Sequence, residues 1–296
     1  MIGRNINMFL LDGTSSGVIK ASLANWTGVA YKIPRVELDA CKDRDHLHQS
    51  GVYFLFSKSE KTEEPVVYIG QAGQRKNGEA LLYRLNEHIT NYNSDDDLNN
   101  EKYWIEAIAL TTSNNSFGPT EISYLENAFY NIAKESGRYT VRNGNEPNKG
   151  HVTEEKESEL LEFIENAKII VGALGHKVFE PYEKETKKDK DETSDNRLYY
   201  TSSTFKATGN VLSDGFIVYK GSTISDTITK SCPQSAIRDR ERHAEKIVND
   251  QLVDDILFNS PSGAASFVAG GSRSGNQEWK NKEGTSLKDI EQKEIE

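Results

Sequence analysis

Tyr53, Tyr68, Arg84, His88, Glu126 and Asn143 carry, in that order along the chain, side-chain types that together suit the hydrolysis of a phosphodiester. That reaction needs a nucleophilic water, neutralisation of charge on the phosphoryl oxygens and stabilisation of the leaving oxygen. A single carboxylate can hold Mg²⁺ (or Mn²⁺) when water and phosphate oxygens complete the shell, and Glu126 is the natural candidate for that metal ligand. Arg84 offers a planar fork for phosphate oxygens. His88 follows Arg84 by four residues, so on a helix the two share a face, and its imidazole can relay a proton. Each residue also has a plainer reading. Tyr53 and Tyr68 can be half-buried strand aromatics, Arg84 and His88 a solvated helix face, and Glu126, like Glu121, a surface carboxylate. Asn143 competes for its place with Asn145 and Asn148.

The elements that must position these residues can be read from apolar periodicity. Gly51–Phe56 and Val66–Gly70 read as strands joined by the polar stretch Ser57–Pro65. Leu81, Leu82, Leu85, His88 and Ile89 fall at helical spacing. Asp95-Asp96-Asp97 marks a loop, and Trp104 to Leu110 a third strand. Pro119 and Thr120 open a second helix with an apolar face of Ile122, Leu125, Phe129 and Ile132, and Tyr139-Thr140-Val141 is strand-like. Upstream, residues 1–50 read as a small antiparallel meander around the turn Asp12–Gly17. Downstream, a helix is expected from Thr153, as its cap, to about Leu174, ending in the apolar run Ile169–Leu174. The charged stretch Glu183–Asp195 reads as a linker. Leu198–Lys206 and Gly215–Tyr219 read as strands, and Ser235–Asp250 as a charged helix.

Gly51-Val52-Tyr53 and Tyr68-Ile69-Gly70 on successive strands resemble the paired motifs of the GIY-YIG nucleases, and the following Arg84, His88, Glu126 and Asn143 match the order of that family. The resemblance implies an α+β fold: a small antiparallel β-sheet flanked by helices at 51–150, preceded by a β-rich leader at 1–50. A helical extension (151–180), a linker (181–196) and an α+β C-terminal domain (197–296) would follow. It also implies a metal-dependent endonuclease acting on DNA, with RNA left open, in restriction, phage defence or repair. Its catalytic residues would be Tyr53, Tyr68, Arg84, His88, Glu126 and Asn143. Tyr53, its phenol acidified by its surroundings, would act as base or orient the water. Tyr68 would assist, and Asn143 would tie the second helix to the site. Fourteen residues separate Tyr53 from Tyr68, more than is usual for the family's hairpin. The stretch Gln71–Ala80 is also long; from it Arg75 and Lys76 could contact a phosphate backbone, or simply form a surface loop. It has no nucleotide-loop signature. The second class of function open to these residues is a nucleic-acid-binding or regulatory protein without turnover.

The net charge of −10 argues against simple nucleic-acid binding. Residues 151–196 hold seven Lys and thirteen Asp/Glu, however, so more than half of that excess is local. Arg238, Arg240 and Arg242 form the densest basic cluster; interleaved with Asp239, Glu241 and Glu245, it reads first as an ion-paired helix and second as a phosphate-tracking one, through Arg238 and Arg242. No apolar run reaches the roughly 18 to 20 residues that span a bilayer, so no membrane partner is expected. Only Cys41 and Cys232 are present, which suits a reducing, cytoplasmic setting. A lone centre cuts one strand, so double-strand cleavage would call for a homodimer or two successive events. At the C-terminus, Ser260-Pro261-Ser262-Gly263-Ala264-Ala265, Gly270-Gly271, Trp279 and Gly284-Thr285-Ser286-Leu287 resemble a domain of uncharacterised function found behind GIY-YIG units. They are also similar to a small domain of restriction-modification adenine methylases, which implies DNA recognition. Physically, Ser262 could cap a short helix and Trp279 fill a core.

Overall fold

A computed structural model describes residues 3–58, 65–74, 80–90, 104–181, 197–212 and 215–295. The chain forms two compact α+β units, Met1–Tyr182 and Glu183–Glu296. Arg75 and Lys76, the Asp95–Asp97 loop and the stretch Glu183–Asp195 lie outside the described residues.

The first unit is built on one seven-stranded sheet in the order β1-β2-β3-β6-β4-β5-β7. Its strands are β1 (Ile6–Leu10), β2 (Ile19–Leu23), β3 (Gly28–Pro34), β4 (Gly51–Lys58), β5 (Pro65–Ala72), β6 (Glu106–Thr112) and β7 (Thr140–Val141). All neighbours are antiparallel except β5 and β7. The sheet is larger than the small sheet expected, because the meander of residues 1–50 joins it: β3 pairs with β6 from Gly28↔Thr112 to Pro34↔Glu106.

Helices cover both faces, which is why Gly51–Phe56 is buried throughout rather than alternating. Val52, Phe54 and Phe56 pack with Val67, Ile69, Ile108 and Leu110 under α2 (Pro119–Ser136) and α3 (Glu154–Ala173). Tyr53 and Leu55 pack on the opposite face with Ala107, Ala109 and the Leu81, Leu82 and Leu85 side chains of α1 (Leu81–Thr90). Each such large side chain contributes about 1.5–3 kcal/mol by leaving water. Thr153 caps α3 by accepting from Lys156 N at 3.4 Å. The end of α3 is pinned to the sheet where His176 Nε2 meets Glu106 Oε1 at 2.6 Å, while the imidazole stacks on Phe56. Lys32 closes this cluster on the other Glu106 oxygen at 3.0 Å. Among the described residues no helix is long and apolar enough to cross a membrane.

The second unit holds a four-stranded antiparallel sheet ordered β13-β10-β9-β8. These are β8 (Leu198–Thr201), β9 (Lys206–Leu212), β10 (Gly215–Val218) and β13 (Ile256–Phe258). Leu198–Lys206 is thus not one strand: the chain turns at Ser202, whose N–H donates to Phe205 O. The helix expected to reach Asp250 stops early, α4 being Gln234–Arg242. Asn249 and Asp250 both take positive φ and turn β11 (Ile247–Val248) into β12 (Gln251–Leu252), a two-residue hairpin suited to such residues. Helix α5 (Pro261–Ala269) is capped by Ser260, which accepts from Gly263 N, and not by Ser262. Ser262 instead accepts from Gly275 N, at the start of the short α6 (Gly275–Glu278). Trp279 is fully buried, its Nε1 donating to Pro261 O, and α7 (Leu287–Ile295) closes the unit.

Arg240 holds α4 to α5. Its guanidinium donates to Ser225 O at 2.7 Å, Phe267 O at 2.8 Å and Val268 O at 3.1 Å. Two of these acceptors are last-turn carbonyls of α5, which the helix itself leaves unpaired and where positive charge is favoured. Burial holds Arg240 below its ordinary pKa, so the contact is made against a desolvation cost. Arg240→Ala is expected to destabilise this unit by on the order of 3 kcal/mol, since bonds to charged donors are lost and carbonyls left unpaired. Arg240→Lys should restore only part, because an ammonium lacks the fork. Hydrogen exchange across 198–291 would show the loss; unchanged protection would contradict this role.

Candidate active site on the β4–β5 hairpin

Tyr53 sits in register with Gly70 on β5 and Ala109 on β6, so its ring is flanked by the smallest side chains the sheet can supply. A Cβ on Gly70 would stand 2.4 Å from both Cζ and Oη of Tyr53, so only glycine leaves the ring its place. Gly51 permits another close approach: a Cβ there would meet the backbone Leu110 O of β6 at 2.2 Å and the Leu81 Cδ1 tip of α1 at 2.8 Å. With α1 seated, Tyr53 Oη lies 2.8 Å from His88 Nε2, and Arg84 Nε donates to it at 3.3 Å. Since Arg84 already donates to the phenol oxygen, the phenol hydrogen is best directed at Nε2, placing the imidazole hydrogen on Nδ1. Tyr68 completes the cluster, its ring 6.2 Å from Tyr53 and edge-on to His88 at 5.3 Å. Arg84 is further held by Glu87 at 2.9 Å.

Strand alternation sends Tyr68 and Gly70 toward α1, and Ile69 and Gln71 toward α2. Glu126 approaches from α2 and meets β5 at its outer edge. Alternate peptide groups of β5 point outward there. Val67 O accepts from Arg142 N at 2.9 Å. The Ile69 peptide is bracketed by the Asn143 amide, Oδ1 accepting from N at 3.1 Å and Nδ2 donating to O at 2.7 Å. Gln71 engages Glu126 through Nε2, at 2.9 Å from Oε2. Asn143 therefore ties the chain after β7 to β5, rather than tying α2 to the site. Asn127 joins α2 to the loop after β7, donating to Pro147 O at 2.7 Å. Asn145 and Asn148 are exposed.

Burial, followed by the nearness of Tyr68, pushes the Tyr53 phenol well above its ordinary pKa, despite Arg84 acting in the other direction. Desolvation outweighs the adjacent guanidinium, so these surroundings favour the neutral phenol rather than acidifying it. Burial also raises the Glu126 carboxyl, with the Gln71 donors and the Arg84 charge opposing it. Burial works against the Arg84 charge, but Tyr53 and Glu87 outweigh it and hold the guanidinium above its usual value.

The structure therefore gathers Tyr53, Tyr68, Arg84 and His88 in mutual contact, and the Glu126 charge is felt at Tyr53 and Arg84. Arg238 and Arg242 belong to the other unit; Arg238 is exposed, whereas Arg242 pairs with Asp239 at 3.4 Å. Gln71, Glu87 and Asn127 were not singled out from sequence. Gln71 could have been found as the residue alternating with Tyr68 and Gly70, and Glu87 from its i+3 spacing to Arg84.

A family described as a domain of unknown function (DUF4357) matches residues 198–291. No curated protein matches the chain, and neither does any solved structure.

Gly70→Ala should destabilise the first unit by about 1–3 kcal/mol through overpacking. In a Tyr53→Ala background the same change should cost at least about 1 kcal/mol less. Equal costs in both backgrounds, from urea unfolding, would disprove the contact. For Glu126 the sign follows from its raised carboxyl. The protonated form suits the fold, so this contribution to stability is present below the ordinary carboxylate range and is lost as pH rises through the folded-state value. With a chelator present, Glu126→Gln should therefore raise Tm at neutral pH, and the gain should shrink as pH falls below that range. A gain that grows toward acid would refute the assignment.

Proposed function

We propose that residues 51–150 are a GIY-YIG-type, metal-dependent endonuclease unit hydrolysing DNA phosphodiester bonds, with RNA as a further candidate substrate. The observation that supports this reading is the Tyr53–His88–Arg84 hydrogen-bonded cluster, with the Glu126 carboxylate near enough for its charge to act on Tyr53 and Arg84. Among the described residues no ammonium or guanidinium bonds the Glu126 carboxylate, which accepts from the neutral Gln71 amide. A half-buried carboxylate so surrounded fits a hard divalent cation, Mg²⁺ or Mn²⁺, held by one protein ligand with water and phosphate filling the shell. Bound there, the cation would supply charge neutralisation for the phosphoryl oxygens.

The residues themselves would divide the remaining work. Arg84 keeps its charge and presents guanidinium N–H groups to a phosphate. Tyr53, a neutral phenol, orients the attacking water; as it takes a proton from that water it can pass its own to His88 Nε2 at 2.8 Å. The relay removes the need for a phenolate in the resting protein. Tyr68 would line the same pocket. Target recognition would fall to residues 197–296, where the exposed Arg238 is the residue of the Arg238–Arg242 cluster best placed to meet phosphate.

A catalytically silent nucleic-acid-binding or regulatory protein on the same framework is the second reading, favoured by the net charge of −10 and the raised Tyr53 pKa. Cleavage of plasmid and single-stranded substrates with Mg²⁺ or Mn²⁺ separates the two. Metal-dependent nicking is expected, lost in Glu126→Ala and reduced about 10²–10³-fold in Arg84→Ala, the scale for removing one charge-stabilising donor. Cleavage surviving in Glu126→Ala would place the chemistry elsewhere. Salt-sensitive binding without cleavage would favour the silent reading.

A further inference from the structure

Gln71 occupies an unusual position for a polar side chain at a strand edge: both ends of its amide are engaged by one helix. Nε2 donates to Glu126 Oε2 at 2.9 Å, and Oε1 accepts from Ser123 Oγ at 3.2 Å. The orientation is chemically fixed. A carboxylate can only accept, so the amide must turn its N–H₂ to Glu126 and its oxygen to Ser123, whose hydroxyl is free to donate. Ser123 and Glu126 lie three apart on α2 and so share a face, which makes the Ser123–Gln71–Glu126 chain a brace between the last residues of β5 and a rigid helix. The choice of a neutral donor also matters. A lysine or arginine in this place would orient the carboxylate but cancel its charge, whereas an amide orients it and leaves the charge intact.

We propose that Gln71, held in turn by Ser123, is the positioning residue that fixes the Glu126 carboxylate for its divalent cation. The inference rests on the reading of Glu126 as the cation ligand given above. Hydrogen bonds behind a ligating carboxylate set its rotamer before the cation arrives, and their loss weakens affinity by about 10–100-fold without removing a ligand.

Mn²⁺ binding by the full chain, read by electron paramagnetic resonance and by calorimetry without any nucleic acid, tests this directly. Wild type should bind Mn²⁺ and Glu126→Ala should not. Gln71→Ala should weaken binding about 10-fold with its fold intact by circular dichroism. Gln71→Lys, which keeps a donor but adds a cation, should weaken it further. Ser123→Ala should lower affinity, and Ser123→Thr, which keeps the hydroxyl, should restore it; this pair reads the brace even if Gln71 variants fold poorly. Mn²⁺ binding that depends on Glu126 but is unchanged in Gln71→Ala and Ser123→Ala would overturn the positioning role alone. Wild type binding no Mn²⁺, or Glu126→Ala binding equally well, would overturn the ligand reading and the brace with it.

Discussion

The close approach of the Tyr53 ring to Gly70 governs the geometry of the first unit, because it decides how near α1 can come to the sheet. Tyr53 is fully buried, yet its hydroxyl must end beside two polar side chains of a helix. A phenol buried without partners would carry an unpaired polar group into the core. Room for the ring comes from Gly70 and Ala109 beside it, and Gly51 permits the close approach of the Leu110 backbone and of the Leu81 tip of α1.

A second constraint acts at the edge of β5. An edge strand leaves outward peptide groups that need partners. Here they are filled by Arg142 and by the Asn143 amide, and the next residue along the edge, Gln71, reaches Glu126 through its side chain. The edge closed in this way thus also holds a carboxylate from α2. The carboxylate is desolvated in return, which works against the fold at neutral pH. Ionisable groups kept in such surroundings are typical of sites where charge is used rather than merely stored.

These two constraints explain what could be read from the amino-acid sequence. Strand and helix positions around Tyr53, Tyr68, Arg84, His88 and Glu126 follow from periodicity, since both faces of β4 are covered and α1 and α2 present clean apolar stripes. The protonation state of Tyr53 was not legible, because nearness to Arg84 suggests acidification while the stronger desolvation depends on the whole packed layer. The partner of Asn143 was not legible either: an Asn after a short strand can reach a helix or a strand edge equally well, and only the truncated pairing of β5 with β7 decides it. In the second unit, the charged stretch after Ser235 has helical composition, but Asn249 and Asp250 in left-handed conformation convert its end to a hairpin. Ser260 precedes α5 and Ser262 lies in its first turn, and Pro261 at the first helical position selects Ser260 as cap.

Close backbone approaches like the one at Gly70 also shape the second unit. Gly275 lies so close to Pro261 that a Cβ would stand 2.1 Å from its carbonyl carbon, and Trp279 Nε1 donates to that residue's oxygen. Gly270 takes a positive φ to end α5, where a Cβ would meet Thr227 O at 2.2 Å. Arg240, the most engaged of the arginines in its cluster, spends its guanidinium on backbone carbonyls of the same unit. Gly270, Gly275, Trp279 and Arg240 thus let α4, α5 and α6 pack. Positions free to meet a ligand are, by the same logic, those with the least internal work, such as the exposed Arg238. The match to a domain of unknown function spans 198–291, the stretch that holds this packed scaffold.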